Sequence, residues 1–136
     1  MKISIEYAND KDSQWLIKND EHVDGKTIKK KISENEIIVV KEQNKNIGYL
    51  RFGFFWDEIP FMNMLTIEEE YRKQGIGKKL VQFWEKEMKK QNHNLVMTST
   101  LSNEEAQHFY RKLGYSDAGS LLLPKEPLEI LQIKKI

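Results

Sequence analysis

Residues 65–80 read LTIEEEYRKQGIGKKL, from Leu65 to Leu80. Leu65, Thr66 and Ile67 close a strand-like run that begins at Phe61, while Ile76, Leu80, Trp84 and Met88 recur every four residues with Phe83 beside them. That spacing predicts a buried face on a helix from about Gly75 to Gln91. The segment Arg72 to Lys79 therefore lies between a strand and the start of an amphipathic helix. Glycines there let the backbone turn tightly and approach a ligand, and the unpaired amides of a helix start attract an anion. Gly75 and Gly77 serve a plain turn into a helix equally well. Charge placement moves the balance toward an anion site. A basic residue at a helix N-terminus is disfavoured by about 0.3–1 kcal/mol, yet Arg72, Lys73, Lys78 and Lys79 crowd this one. A polyanion among them relieves the repulsion. Neither G-x-x-x-x-G-K-[ST] nor G-x-G-x-x-G is present, which weighs against ATP hydrolysis and against hydride transfer on a dinucleotide.

Upstream, Ile3, Ile5 and Tyr7 alternate with polar residues as in a half-buried strand, and Asn9-Asp10 supplies turn and capping chemistry. A helix carrying Trp15 and Leu16 follows, broken over His22 to Gly25, and Ile28 and Ile32 mark a second short helix over Thr27 to Asn35. The triple lysine Lys29 to Lys31 on it reads as a solvated face rather than a docking patch. Ile37 to Val40, a turn at Gln43 to Asn46, and the aromatic-rich Ile47 to Trp56 form an antiparallel hairpin. Asp57 to Pro60 is the next turn, leading into Phe61 to Ile67. Downstream, Leu95 to Thr100 is a strand, and Ser102-x-x-Glu105 fits a capping box opening a helix with the stripe Ala106, Phe109, Tyr110, Leu113 and a stop at Gly114. Leu121 to Leu123 and the stretch around Ile130 and Ile133 supply two last strands. The order is β-α-α-β-β-β-α-β-α-β-β, an α/β chain with a mixed sheet.

A chain of 136 residues suits one domain at about 100–150 residues per domain, so residues 1–136 are read as a single domain. Lys and Arg number 22 against 21 Asp and Glu, a net charge of +1, so no global positive field exists to hold nucleic acid. There is no Cys, hence no disulfide and no thiolate nucleophile. His22, His93 and His108 are scattered without ligand spacing, and no metal is expected. No apolar run approaches the length of a membrane span or signal segment, so the expectation is a cytoplasmic protein with no membrane partner.

Leu65-Thr66-Ile67 followed by Arg72-x-x-Gly75-Ile76-Gly77 resembles the acetyl-CoA signature of the GNAT superfamily of acyl-CoA-dependent N-acyltransferases. Asn103-x-x-Ala106-x-x-Phe109-Tyr110-x-x-x-Gly114-Tyr115 resembles the family's second helix motif, and the element order matches the family along essentially the whole chain. The resemblance implies a sheet flanked by helices that splays between the strand Phe61 to Ile67 and the strand Leu95 to Thr100. It implies that the backbone of Leu65 and Ile67 pairs with the pantetheine arm of acetyl-CoA. Amides and side chains of Arg72, Lys73, Gln74, Gly75, Ile76, Gly77 and Lys78 would then hold the pyrophosphate, and Asn103 would touch the arm. Beside that role, Asn103 also suits a plain helix start.

Tyr110 resembles the family tyrosine that protonates the departing CoA thiolate. A phenol is a competent acid there, because amine attack on a thioester builds an oxyanion and then expels a thiolate. From periodicity alone Tyr110 is a core aromatic on the stripe with Phe109. Some family members deprotonate the amine with a carboxylate on the strand before the phosphate loop, but Phe61 to Ile67 has none. Asp57, Glu58 and His22 are candidates in neighbouring loops, with Asn63 as a holder of a relay water. Glu69 stands where the family often has Pro, which weakens any claim about loop shape. The acceptor pocket is expected around His22, around Trp56 to Glu58 and around Leu123 to Glu126, with His22, Trp56 and Glu58 as substrate-binding candidates. The functional expectation is transfer of acetyl from acetyl-CoA to a primary amine of a small molecule. A non-catalytic CoA-binding or sensing domain is the alternative, and a phosphate-binding module unrelated to CoA is a third. The tail strands offer an edge for a homodimer.

Overall fold

The structure is a computed structural model describing residues 2–136. Seven strands, β1 (Ile3–Tyr7), β2 (Ile37–Glu42), β3 (Lys45–Phe55), β4 (Ile59–Ile67), β5 (Leu95–Leu101), β6 (Ser116–Leu121) and β7 (Glu129–Lys135), form a sheet in the order β1-β2-β3-β4-β5-β7-β6. The helices are α1 (Ser13–Asn19), α2 (Gly25–Ser33), α3 (Ile76–Lys90) and α4 (Ala106–Lys112). Pairing is antiparallel for β1–β2, β2–β3, β5–β7 and β6–β7, and parallel for β4–β5. The sheet is thus mixed, as expected. By contacts the chain divides into two compact units, residues 1–52 with 64–84, and residues 53–63 with 85–136.

In the first unit, the alternation of β1 leaves Ile3, Ile5 and Tyr7 half-buried, and α1 and α2 cover one core. Leu16, Ile28, Ile37 and Val39 are fully buried there, with Tyr49 set edge-on to Trp15 at 5.9 Å. Ile28 and Ile32 face inward as their spacing predicts, but α2 runs from Gly25 to Ser33 rather than from Thr27 to Asn35. Asp24 sets the start: its carboxylate accepts the Thr27 N–H at 2.8 Å, so Gly25 falls inside the helix. Asn35, at φ 57°, stands beyond its end. The β2–β3 hairpin turns on Gln43 and Asn44, both at positive φ, the geometry of a two-residue connection. Gly48 on β3 is obligatory, because a Cβ there would lie 2.6 Å from the Thr66 carbonyl oxygen and 2.7 Å from Ile67 Cδ1.

The second unit is built on the long β5–β7 ladder, Leu95 opposite Lys135 through to Leu101 opposite Glu129. α4 ends in a Schellman turn in which Tyr115 N donates to the Tyr110 carbonyl and Gly114 N to the Arg111 carbonyl, both at 3.0 Å. Gly114 takes φ 97°, and the turn folds Tyr115 back into the core, where it is buried.

Three local expectations are corrected here. The turn after β3 is Trp56-Asp57, closed by the Glu58 N–H on the Phe55 carbonyl at 3.0 Å, and Pro60 already belongs to β4. The capping box at Ser102 and Glu105 does not form; Glu105 makes no cap bond, and Glu104 Oε1 instead accepts the Leu101 N–H at 2.8 Å. β6 occupies Ser116–Leu121, so Leu122 and Leu123 lie past it. Its six residues are all exposed, and backbone pairing to β7 holds it rather than apolar burial.

Candidate active site

The segment joining β4 to α3 lies wholly in the first unit. Lys79 N donates to the Gly75 carbonyl at 3.1 Å, opening α3, so the amides of Ile76, Gly77 and Lys78 precede any carbonyl they could reach within the helix. Gly75 has φ 79° and nothing within 4 Å of where a Cβ would stand. Glycine is needed there for the dihedral, and the space before the helix is open. The sequence candidates separate by what they present. Ile76 is buried, so it offers only its amide. Arg72 Nε donates to the Ile67 carbonyl at 2.8 Å, and Gln74 Nε2 donates to the Glu70 carbonyl at 3.2 Å. Arg72 thus braces the loop against the end of β4, and Gln74 braces it against its own preceding turn. Lys73, at φ 61°, and Lys78 are exposed and have no ion-pair partner among the described residues. Two cations, a run of helix-start amides and a glycine with open space beside it suit a diphosphate.

His22 also belongs to the first unit. It lines a polar cavity of about 160 Å³ with Asn19, Glu21, Tyr49, Met64 and Thr66. Beside it Arg51 Nε and Asp20 Oδ2 form a buried ion pair at 2.8 Å, and Asp20 Oδ1 accepts the His22 N–H at 3.0 Å. Burial works to raise the Asp20 carboxyl, but the His22 amide and the Arg51 guanidinium outweigh it and hold the group below its ordinary value. Burial and the Asp20 charge push the Tyr49 phenol well up.

Tyr110 lies in the second unit, on α4, 6% exposed. Its hydroxyl meets Met62 Sδ at 3.6 Å and the Thr98 side chain. Thr98 Oγ1 donates to the Met62 carbonyl at 3.0 Å, which fixes that hydroxyl in place. The ring is fixed edge-on between Phe109 at 5.1 Å and Tyr115 at 5.6 Å. Tyr115 is committed elsewhere, donating to Glu85 Oε2 at 2.7 Å. Burial raises the Tyr110 phenol far above its ordinary value, so it stands protonated, with a proton available at this position.

Met62 and Thr98 also end the β4–β5 ladder, which among the described residues consists of Phe61 opposite Met97 and Met62 opposite Thr98. Beyond that point Asn63 and Ser99 line an apolar cavity of about 360 Å³ together with Phe54, Phe55, Phe61, Leu121 and Leu131. Trp56 is 75% exposed and lies tilted against Phe55 at 4.6 Å between ring centres, while Glu58 and Asn103 are exposed in turns. Sequence reasoning passed over Thr98 and Met62 as site residues, and with them Ser99 and Leu131. The run Thr98-Ser99-Thr100, three hydroxyls in a strand that opens on Leu95-Val96-Met97, is the available signal; the neighbours across the ladder need the register. Among the described residues no three His, Asp or Glu side chains gather as a metal site, and no helix is long and apolar enough to cross a membrane.

Residues 33–117 match the family model of the acetyltransferase (GNAT) domain. No curated protein matches the sequence. Among solved structures the chain is similar to Ard1 from Thermoplasma volcanium, with TM-score 0.87 at 15% identity, covering 100% of this chain and 99% of the other. It is similar to the PaiA N-acetyltransferase from Thermoplasma acidophilum in complex with coenzyme A, with TM-score 0.77 at 19% identity and 100% of both chains covered. It is also similar to the ribosomal-protein alanine N-acetyltransferase from Escherichia coli, with TM-score 0.78 at 16% identity, over 99% of this chain and 94% of that one. The fold is shared with all three, and with the family model spanning well over half of the residues, the chain belongs to the GNAT family of acetyl-CoA-dependent acetyltransferases.

Proposed function

We propose that residues 1–136 act as one cytoplasmic N-acetyltransferase domain that moves acetyl from acetyl-CoA to a primary amine of a small molecule. The observation that carries the reading is Tyr110, a buried phenol kept protonated, with its hydroxyl at the point where the β4–β5 ladder stops. The donor's pyrophosphate is assigned to the amides of Gly75, Ile76, Gly77 and Lys78 with the Lys73 and Lys78 side chains, on a loop braced by Arg72 and Gln74. Its pantetheine arm is assigned to the main chain of Leu65 and Ile67, with Asn103 beside it. His22, Trp56 and Glu58 are assigned to the acceptor's surroundings.

The neutral amine attacks the thioester carbonyl and the C–N bond forms. The oxyanion then collapses, the C–S bond breaks, and the thiolate takes the Tyr110 proton while the proton shed by nitrogen passes to water. Direct transfer accords with a chain that has no Cys to carry the acetyl group.

The test is calorimetric titration with acetyl-CoA against CoA and pyrophosphate, followed by thiol release with a panel of amines. Tight binding specific to the CoA moiety and thiol release with an amine are expected. Binding without thiol release from any amine would reduce the chain to a CoA-binding module.

A further inference from the structure

The second unit holds a cavity whose chemistry is unlike the loop that suits phosphates. Its walls are three phenylalanine rings, Phe54, Phe55 and Phe61, and two leucines, Leu121 and Leu131. Among the described residues no charged side chain lines it. Its volume is about 360 Å³; roughly 150 Å³ of apolar space suffices for a benzene ring, so a ring with a short aliphatic chain fits. The two oxygens among the lining side chains belong to Asn63 and Ser99.

Those two residues fix what the cavity adjoins. Asn63 and Ser99 directly follow Met62 and Thr98, the last ladder pair, whose atoms surround the Tyr110 hydroxyl. Successive side chains on a strand point to opposite faces. Tyr110 therefore stands on one face of the ladder's end and the cavity on the other, with its polar groups nearest that end. A single amino group meets two acceptors at the polar end, and the remainder of the molecule meets only apolar walls. A second ammonium carried into those walls would lose its water and gain no counter-charge.

We propose that this cavity holds the apolar substituent of the acceptor, so that the enzyme selects small primary monoamines bearing an aromatic or branched aliphatic group over polycationic amines. The proposal rests on the acetyl-transfer reading above. Trp56, tilted against the cavity residue Phe55 and left 75% exposed, adds an apolar ring next to that wall.

The experiment uses the full chain with acetyl-CoA and compares phenethylamine, spermidine and a tetrapeptide beginning with phenylalanine, alongside the variant Leu121→Glu. Leu121 is 46% exposed at the end of β6, so the variant keeps its fold, checked by circular dichroism. Binding is read independently of turnover by the amide resonances of Asn63 and Ser99 on titration with 2-phenylethanol, which has the ring but no amine. Phenethylamine is expected to exceed spermidine in kcat/KM by about tenfold or more, with Leu121→Glu removing most of that preference, and 2-phenylethanol is expected to shift both resonances. Spermidine equal to or better than phenethylamine, or unmoved resonances, overturns the inference while acetyl transfer stands. A tetrapeptide better than phenethylamine overturns the small-amine assignment. If 2-phenylethanol binds yet no amine releases CoA, the acetyl-transfer reading fails and the acceptor assignment fails with it.

Discussion

Tyr110 earns its role from its surroundings rather than from its type. Removing only its oxygen, as in Tyr110→Phe, leaves the edge-on contacts with Phe109 and Tyr115 in place and takes away the proton. Positioned acids contribute about 10²–10⁴-fold, so kcat is expected to fall at least about 10²-fold, with the acetyl-CoA dissociation constant and the melting temperature close to wild type. Rapid mixing and calorimetry separate these effects; unchanged kcat would remove Tyr110 from the chemistry. Because burial raises this phenol, its protonated form persists to higher pH than an ordinary tyrosine. Activity should therefore show no loss from Tyr110 as pH rises toward the ordinary phenol value of 10.0. This residue was legible because its motif fixes its place on a helix. Thr98 and Met62 were not, since they meet Tyr110 only through the register between two strands far apart in sequence.

At the scale of the element, the loop before α3 makes the sharpest demand. Gly75 at φ 79° disfavours other residues by about 1 kcal/mol, yet the space around a Cβ there is open. Gly75→Glu is therefore expected to keep the far-ultraviolet circular dichroism of the wild type and to lose measurable CoA binding, because a carboxylate then occupies the helix-start amides. Gly75→Asn, which tolerates the same dihedral without the charge, should retain binding. Equal loss in both variants would mean that the loop's shape, not an anion site, was damaged. α3 itself was readable from spacing, with Ile76, Leu80, Trp84 and Met88 all buried. Ser102 and Glu105 match a capping pattern that does not form at the start of α4; Glu104 instead accepts the amide of Leu101 at the end of β5, and the Gln107 side chain donates to the Ser102 and Glu104 carbonyls. β6 begins upstream of the apolar Leu121 to Leu123, and the sequence does not mark it, because an edge strand held by its backbone leaves no apolar alternation to follow.

For the whole molecule, charge is nearly balanced at +1, so the response to acid depends on which carboxylates folding has stabilised. Asp12 and Asp20 are both buried and both held below the ordinary carboxylate value despite the opposing effect of burial, Asp12 by the Asn9 amide and Lys41, Asp20 by the His22 amide and Arg51. A carboxyl whose folded value is depressed contributes stability that is complete above its unfolded value and is lost as pH falls through the folded one. The melting temperature should therefore be level from neutral pH down to the ordinary carboxylate range and then decline. Asp20→Asn identifies the source. It leaves Arg51 buried without its counter-charge, a loss of about 3–5 kcal/mol at neutral pH. Below the ordinary carboxylate range the wild type makes the same loss by protonation, so the difference between the two proteins should narrow as pH falls. Melting curves at a series of pH values decide the matter: a gap that stays constant into strong acid would show that Asp20 carries no charge-dependent stability, and that the Arg51 pair acts through packing alone.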